Sequence, residues 1–240
     1  MTQFVLVHGA WHGGWCWARV LPLLRAGGHV AHAVTLTGVG ERAHLLSPEI
    51  RLDTHVQDVL NLIASEELSD VVLVGHSYGG MVITGVASVL ERRRPGMLRH
   101  LVYVDAMVPR PGESWSSTHA PEVVAGRASA AERSSGGLSL PPPDAEAFGL
   151  EGADRAWVNR RQTPQPFAVY RDSLDFDANR VALLPRTFID CTTPPAANIA
   201  GSRARARTEA GWRVVELATG HDPMVSVPTE LARILLECAR

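Results

Sequence analysis

The chain has 240 residues, 45% of them hydrophobic and 20% charged, with a formal net charge of −2. That balance excludes a disordered chain, a collagen-like fibre and a strongly basic nucleic-acid binder. Every basic residue other than histidine is arginine; the lack of lysine excludes Schiff-base chemistry, a Walker-type phosphate loop and a lysine general base.

Residues 4–7 form a short apolar, β-branched run that stops at His8-Gly9. Residues 15–26 read as one amphipathic helix closed by Gly27-Gly28. Residues 29–34 alternate like a strand. Asp53 is the expected N-cap of a helix to about Ser65, with Val56, Val59, Leu60 and Ile63 on one face. Residues 71–74 are continuously apolar, as in a parallel strand buried on both faces. A helix over 81–90 and a strand over 101–104 follow. The alternation resumes with a strand over 186–191, a helix over 197–210, a strand over 213–217 and a helix over 227–239. Six strands alternating with helices predict an α/β fold: a mainly parallel sheet with helices on both faces.

The interval over residues 108–185 breaks this rhythm. It opens on Val108-Pro109-Arg110-Pro111-Gly112 and contains Ser134-Ser135-Gly136-Gly137 and Pro141-Pro142-Pro143. No strand signal is visible in it; residues 120–131 and 153–161 read as short helices. It leaves the sheet at the carboxyl end of a strand, where α/β sites lie, and so reads as a lid. The expected division is a core of residues 1–107 and 186–240 and a cap of residues 108–185. The N-terminal residues lack a leader pattern, and no apolar run approaches the roughly 18 residues of a membrane span. Cys16, Cys191 and Cys238 are too far apart for a disulfide framework or a zinc spacing. A cytoplasmic protein with no metal, no cofactor, no nucleic-acid partner and no membrane partner is expected; oligomeric state is not legible.

Gly75-His76-Ser77-Tyr78-Gly79 lies between a buried strand and a helix, the setting in which G-x-S-x-G marks a nucleophile. The tight turn demands glycines and exposes the Ser77 hydroxyl at a helix N-terminus, where a developing anion is favoured. His221, in Thr219-Gly220-His221-Asp222-Pro223-Met224, follows the last strand and is the expected base. His8 and His76 border glycine turns, where an imidazole most often serves backbone hydrogen bonds; His12 is also close. The expected oxyanion donors are the amides of Tyr78, after the nucleophile, and Ala10, in the loop after the first strand. Gly9 would permit the close approach.

The segments His8-Gly9-Ala10-Trp11-His12-Gly13-Gly14-Trp15-Cys16-Trp17, Gly75-His76-Ser77-Tyr78-Gly79-Gly80-Met81 and Gly220-His221-Asp222-Pro223-Met224 together resemble the α/β-hydrolase superfamily. Within it the likeness is to plant methylesterases and hydroxynitrile lyases and their bacterial esterase relatives. The resemblance implies a compact hydrolase whose site lies under a small cap, with the chain order Ser, Asp, His. In the plant members the triad acid follows the strand equivalent to residues 186–191; here Pro194 stands there. Asp105, ending the strand Val102-Tyr103-Val104, is the candidate acid. Asp190 is the lesser candidate, and Asp222 reads as a loop residue.

The reaction implied is hydrolysis of a small-to-medium ester, lactone or thioester through an acyl-enzyme. Trp11, His12, His76, Trp115 and Trp157 are the candidate pocket residues; Phe148, Phe167 and Tyr170 are less distinct. A lyase or cyclase on the same fold, and a ligand receptor with a retained triad, are the alternatives. The lysine that accompanies cyanide chemistry in the lyases of this branch has no counterpart here.

Overall fold

The computed structural model describes residues 1–239. Strands β1 (Gln3–Val7), β2 (Val30–Val34), β3 (Val71–His76), β4 (Leu98–Val104), β7 (Arg186–Cys191) and β8 (Trp212–Leu217) form one sheet in the order β2-β1-β3-β4-β7-β8. Every neighbouring pair in it is parallel. The remaining strands, β5 (Ser139–Leu140) and β6 (Gln165–Pro166), pair antiparallel with each other.

The continuous apolar runs follow from burial on both faces. Phe4, Leu6, Val72, Val74, Val102 and Val104 pack on one side with Trp17, Leu24 and Leu231. Val5, Val7, Leu73, Leu101 and Tyr103 point the other way, into a second layer with Val59, Ile63, Val82 and Val86. With side chains alternating across the sheet, a strand sandwiched between helices needs apolar residues at every position. The helices of the second layer are α2 (Leu52–Ser65) and α3 (Gly79–Arg93); α1 (Leu21–Ala26) and α10 (Pro228–Glu237) contribute to the first.

Several elements differ from the sequence reading. The helix expected over 15–26 is a 3₁₀ turn, Gly14–Trp17, followed by α1. Pro22 sits in the first turn of α1; it has no N–H to donate, so it starts a helix there and prevents one continuous helix. Arg51, not Asp53, precedes α2, and the Arg51 amide donates to Thr54 Oγ1 at 3.0 Å. The helix expected over 227–239 is α10, Pro228–Glu237; a short α9 (Pro223–Ser226), not expected, precedes it, and each has a proline in its first turn.

Between β4 and β7 the chain forms α4 (Pro121–Ser135), β5, α5 (Gly152–Asn159), β6, α6 (Ala168–Arg171) and α7 (Ala178–Val181); α8 (Ala200–Thr208) follows β7. The β5–β6 pair corrects the expectation of no strands here. Two residues are too few for a periodicity, and Pro166 argues against a strand from sequence alone. Among the described residues no helix is long and apolar enough to cross a membrane.

Candidate active site

The turn after β3 carries Ser77 with φ of 52°. A left-handed backbone is uncommon for a residue with a Cβ, and neighbouring packing must enforce it. A Cβ on Gly75 would lie 2.6 Å from the Gly79 carbonyl oxygen, so the turn closes only with glycine at that corner. Ser77 is 8% exposed and stands at the N-terminal end of α3. Trp11 (φ 64°), after β1, and Asp105 (φ 40°), after β4, share the left-handed conformation.

These strand ends meet the loop after β8. His221 Nε2 lies 2.8 Å from Ser77 Oγ, and His221 Nδ1 lies 2.7 Å from Asp105 Oδ2. A carboxylate only accepts, so Nδ1 carries the proton and Nε2 is left to accept from the hydroxyl. Asp105 is fully buried, and its amide donates to the Ile189 carbonyl at 2.8 Å. Arg203 Nη2 donates to its other oxygen at 3.3 Å. Asp190, also fully buried, is instead paired with Arg203 Nε and, at 2.6 Å, with Arg207 Nη2. The two acids therefore share Arg203, and only Asp105 reaches His221.

A second buried set lies beside this one. Asp222 accepts from His12 Nε2 at 2.9 Å, and its other oxygen is 3.5 Å from His76 Nε2. It stands in a loop, as the sequence suggested, and is fully buried. Burial pushes its pKa up, but His12, His76 and His221 outweigh that and hold it at about 2. His12 Nδ1 meets the Ala10 carbonyl at 2.7 Å. Both partners of His12 are acceptors, so both ring nitrogens carry protons; burial opposes the charge, and Asp222 raises the pKa in spite of it.

His76 is different. Burial, then the nearby His221, holds its pKa well below the ordinary value, and its Nε2 donates to the His221 carbonyl at 2.8 Å. His8 accepts at Nε2 from the Leu36 amide at 3.1 Å and so donates from Nδ1 to the Gly9 carbonyl at 2.7 Å. Burial lowers its pKa to about 3. His8 and His76 thus serve the backbone, as the sequence suggested.

Ser77 and His221 open into a cavity of about 580 Å³. Ala10, Trp11, His12 and His76 form its base, and Trp115, His119, Arg127, Phe148 and Pro194 are among the residues above. A Cβ on Gly9 would come within 2.9 Å of the Ser77 Cβ, so glycine lets the Ala10 loop approach Ser77. Among the described residues, the amides of Ala10 and Tyr78 take no partner in a turn, a loop or a side chain. The Tyr78 hydroxyl meets His55 Nδ1 at 3.0 Å.

Trp11 is bound to the β5–β6 pair. Its amide donates to Gln165 Oε1 at 3.0 Å and its indole to the Leu140 carbonyl at 3.2 Å. Trp115 packs between Trp11, Tyr78 and Tyr170, at ring separations of 5.6, 5.4 and 5.0 Å. Trp157 departs from the expectation of a pocket residue. It lies edge-on to Trp15, with Arg19 and Arg161 over its ring, and forms no part of the cavity wall. One side of α5 faces the 3₁₀ turn rather than Ser77. The sequence reading passed over Arg127 and the Asp222–His12 pair; the only hint of the pair was that both residues adjoin the glycine loops.

The chain matches the Alpha/beta hydrolase family over residues 4–234. It is 44% identical to the carbendazim hydrolyzing esterase of Nocardioides sp. (strain SG-4G), over 98% of each chain. It is 34% identical to methyl jasmonate esterase 1 of Vitis vinifera over 49% of this chain and 44% of that one. Its fold matches that of an extracellular alpha/beta-hydrolase from a Paenibacillus species with a TM-score of 0.85, at 21% identity and 100% coverage of both chains. With the parallel six-stranded sheet and a serine on the turn after β3, these likenesses establish that the chain belongs to the α/β-hydrolase family and is a hydrolase.

Proposed function

We propose that the chain is a serine esterase cleaving a small-to-medium ester, lactone or thioester through Ser77, His221 and Asp105. One observation carries this reading: the unbroken series from Ser77 Oγ through His221 to Asp105, with contacts of 2.8 and 2.7 Å. His221 Nε2 takes the Ser77 proton as Oγ bonds to the substrate carbonyl carbon. The amides of Ala10 and Tyr78 stabilise the oxyanion, and Asp105 stabilises the imidazolium. Collapse of the adduct breaks the ester bond, and the leaving alcohol or thiol takes the proton from His221. Water then loses a proton to His221 and attacks the acyl carbon, releasing the acid and restoring the serine.

In this reading residues 108–185 are a cap over a core of residues 1–107 and 186–240. Trp115, His119, Arg127 and Phe148 support it, since all four line the cavity that holds Ser77. The free, buried thiols of Cys16, Cys191 and Cys238 suit a reducing compartment, and cytoplasm is the location we propose. Trp11, Trp115 and the Ala10 loop are proposed to contact substrate; His12 and His76 act beneath it, through hydrogen bonds to the backbone.

The test is covalent labelling by a fluorophosphonate, read by mass spectrometry, beside hydrolysis of p-nitrophenyl acetate. Label on Ser77 and loss of both signals in Ser77→Ala are expected. Full turnover by Ser77→Ala would sink the reading, and an undiminished rate in Asp105→Asn would move the acid to Asp190.

A further inference from the structure

Arg127, on the α4 helix, lines the same cavity as Ser77. Its guanidinium carbon stands 5.0 Å from the ring centroid of Trp115, 5.2 Å from that of Tyr170 and 5.7 Å from that of Trp11. Among the described residues none of its nitrogens has a hydrogen-bond acceptor or an ion pair, and Nη1 is shut off from solvent. Arg155 is matched to Asp144 and Glu146 and Arg180 to Asp177, while Arg161 and Arg171 lie over Trp157 and Phe167; none of these four lines the cavity. No aspartate or glutamate lines the cavity. Burial lowers the Arg127 pKa and only the Tyr170 phenol opposes that, so no acid compensates the charge. The adjacent His119 adds none at neutral pH: burial, then Arg127, pushes it down to about 4.

A cation held by aromatic faces in a partly dry wall is stabilised by the rings, yet its donors other than the closed-off Nη1 are left for a ligand. Trp115 touches both Arg127 and Tyr78, the residue after the nucleophile, so a single indole separates the cation from the turn bearing Ser77. We propose that the cavity selects esters bearing a carboxylate remote from the scissile bond, and that Arg127 receives that carboxylate. The pairing rests on the esterase reading for the position of the ester; the carboxylate site itself does not.

The test uses the Ser77→Ala protein, in which Trp11 and Trp115 report binding by their fluorescence. Benzoate and hexanoate are titrated against benzamide and hexanamide. A charge-assisted hydrogen bond changes affinity on the order of 10- to 100-fold, so each carboxylate is expected to bind at least about tenfold more tightly than its amide. Arg127→Met should erase the preference and Arg127→Lys should keep part of it. Equal binding of acid and amide, or a preference that survives in Arg127→Met, would overturn the proposal; the latter would put the carboxylate at the Ser77 oxyanion pocket.

In the Ser77-containing enzyme, kcat/KM for monomethyl adipate should exceed that for methyl hexanoate. Arg127→Met should lose the first by about the same factor as it loses affinity, and keep the second within about twofold, which also reports that it folds. Absence of ester turnover and of fluorophosphonate labelling would refute the esterase reading, while the fluorescence titration still decides the carboxylate site.

Discussion

The two walls of the cavity differ in how far their charged groups are paired. Below, the strand-end wall pairs most of its charged and imidazole groups: Asp105 is held by His221 and Arg203, Asp222 by His12, and His8 by two backbone groups, with His76 Nδ1 and one Asp222 oxygen left without a hydrogen bond. Above, the wall from the segment between β4 and β7 leaves Arg127 Nη1, His119 Nε2 and Trp115 Nε1 buried without partners. Polar groups that hold one another stay in one geometry, as repeated bond-making requires. The remaining guanidinium donors of Arg127, which lines the cavity, are not closed off as Nη1 is and stay available to whatever enters. If the proposed chemistry and the proposed selection belong to separate walls, variants of each should fail in different ways.

The largest effects belong below. Asp105→Asn should lower kcat about ten-thousandfold, because the amide favours the wrong imidazole tautomer. The loss should be the same for every ester tried; a loss confined to one ester would break the division between the walls. Arg203→Met comes next. It leaves Asp105 and Asp190 with buried charge less compensated, and should cost about 3 kcal/mol in urea unfolding. Arg207 still holds Asp190, so a cost near zero would mean that Arg203 contributes no net stability.

His12→Gln sharpens the picture through pH. The folded pKa of His12 is raised from 6.5. The stability this contributes is fully present below about 6.5 and is lost as pH rises through the higher folded value. The difference in Tm between the parent and His12→Gln should therefore be widest on the acid side and narrow with rising pH. A gap that widens instead would show that His12 is neutral in the fold. Trp157→Ala gives the smallest effect on activity. It should lower stability by about 1–2 kcal/mol through lost packing against Trp15, while kcat/KM stays within about twofold. A larger fall in kcat/KM would return Trp157 to the pocket.

The same contrast governs how much could be read beforehand. The strand-end wall is written in short, local patterns. Val71 to Val74 are buried on both faces and so apolar at every position, and the glycine at 75 is forced by a carbonyl 2.6 Å from its missing Cβ. Ser77, His221 and Asp105 each stand directly after such a strand or in the loop following one, which made them findable. Asp222 stands in a loop, as expected, but its burial is not legible, because adjacency to His221 says nothing about direction; its side chain turns to His12, 210 positions away in sequence. The upper wall obeys no period. Arg127 sits in a helix of mixed composition and reads as a solvated residue until three aromatic rings, from three separate segments, are found around it. The β5–β6 pair is invisible for the same reason: two residues paired with two others leave no pattern in either stretch.

Trp11, Ser77 and Asp105 all hold left-handed backbones at the ends of three adjacent strands. Each such residue costs on the order of 1–3 kcal/mol relative to a relaxed conformation. Glycine would relieve the distortion at each place, but at Asp105 it would take the carboxylate from the half-buried Arg203 and the buried His221, and at Trp11 it would remove the indole bound to Leu140 and packed on Trp115. Ser77→Gly alone exchanges strain for the loss of no more than a hydroxymethyl group, and Ser77 carries the proposed chemistry, so the sturdier molecule would be a sterile one.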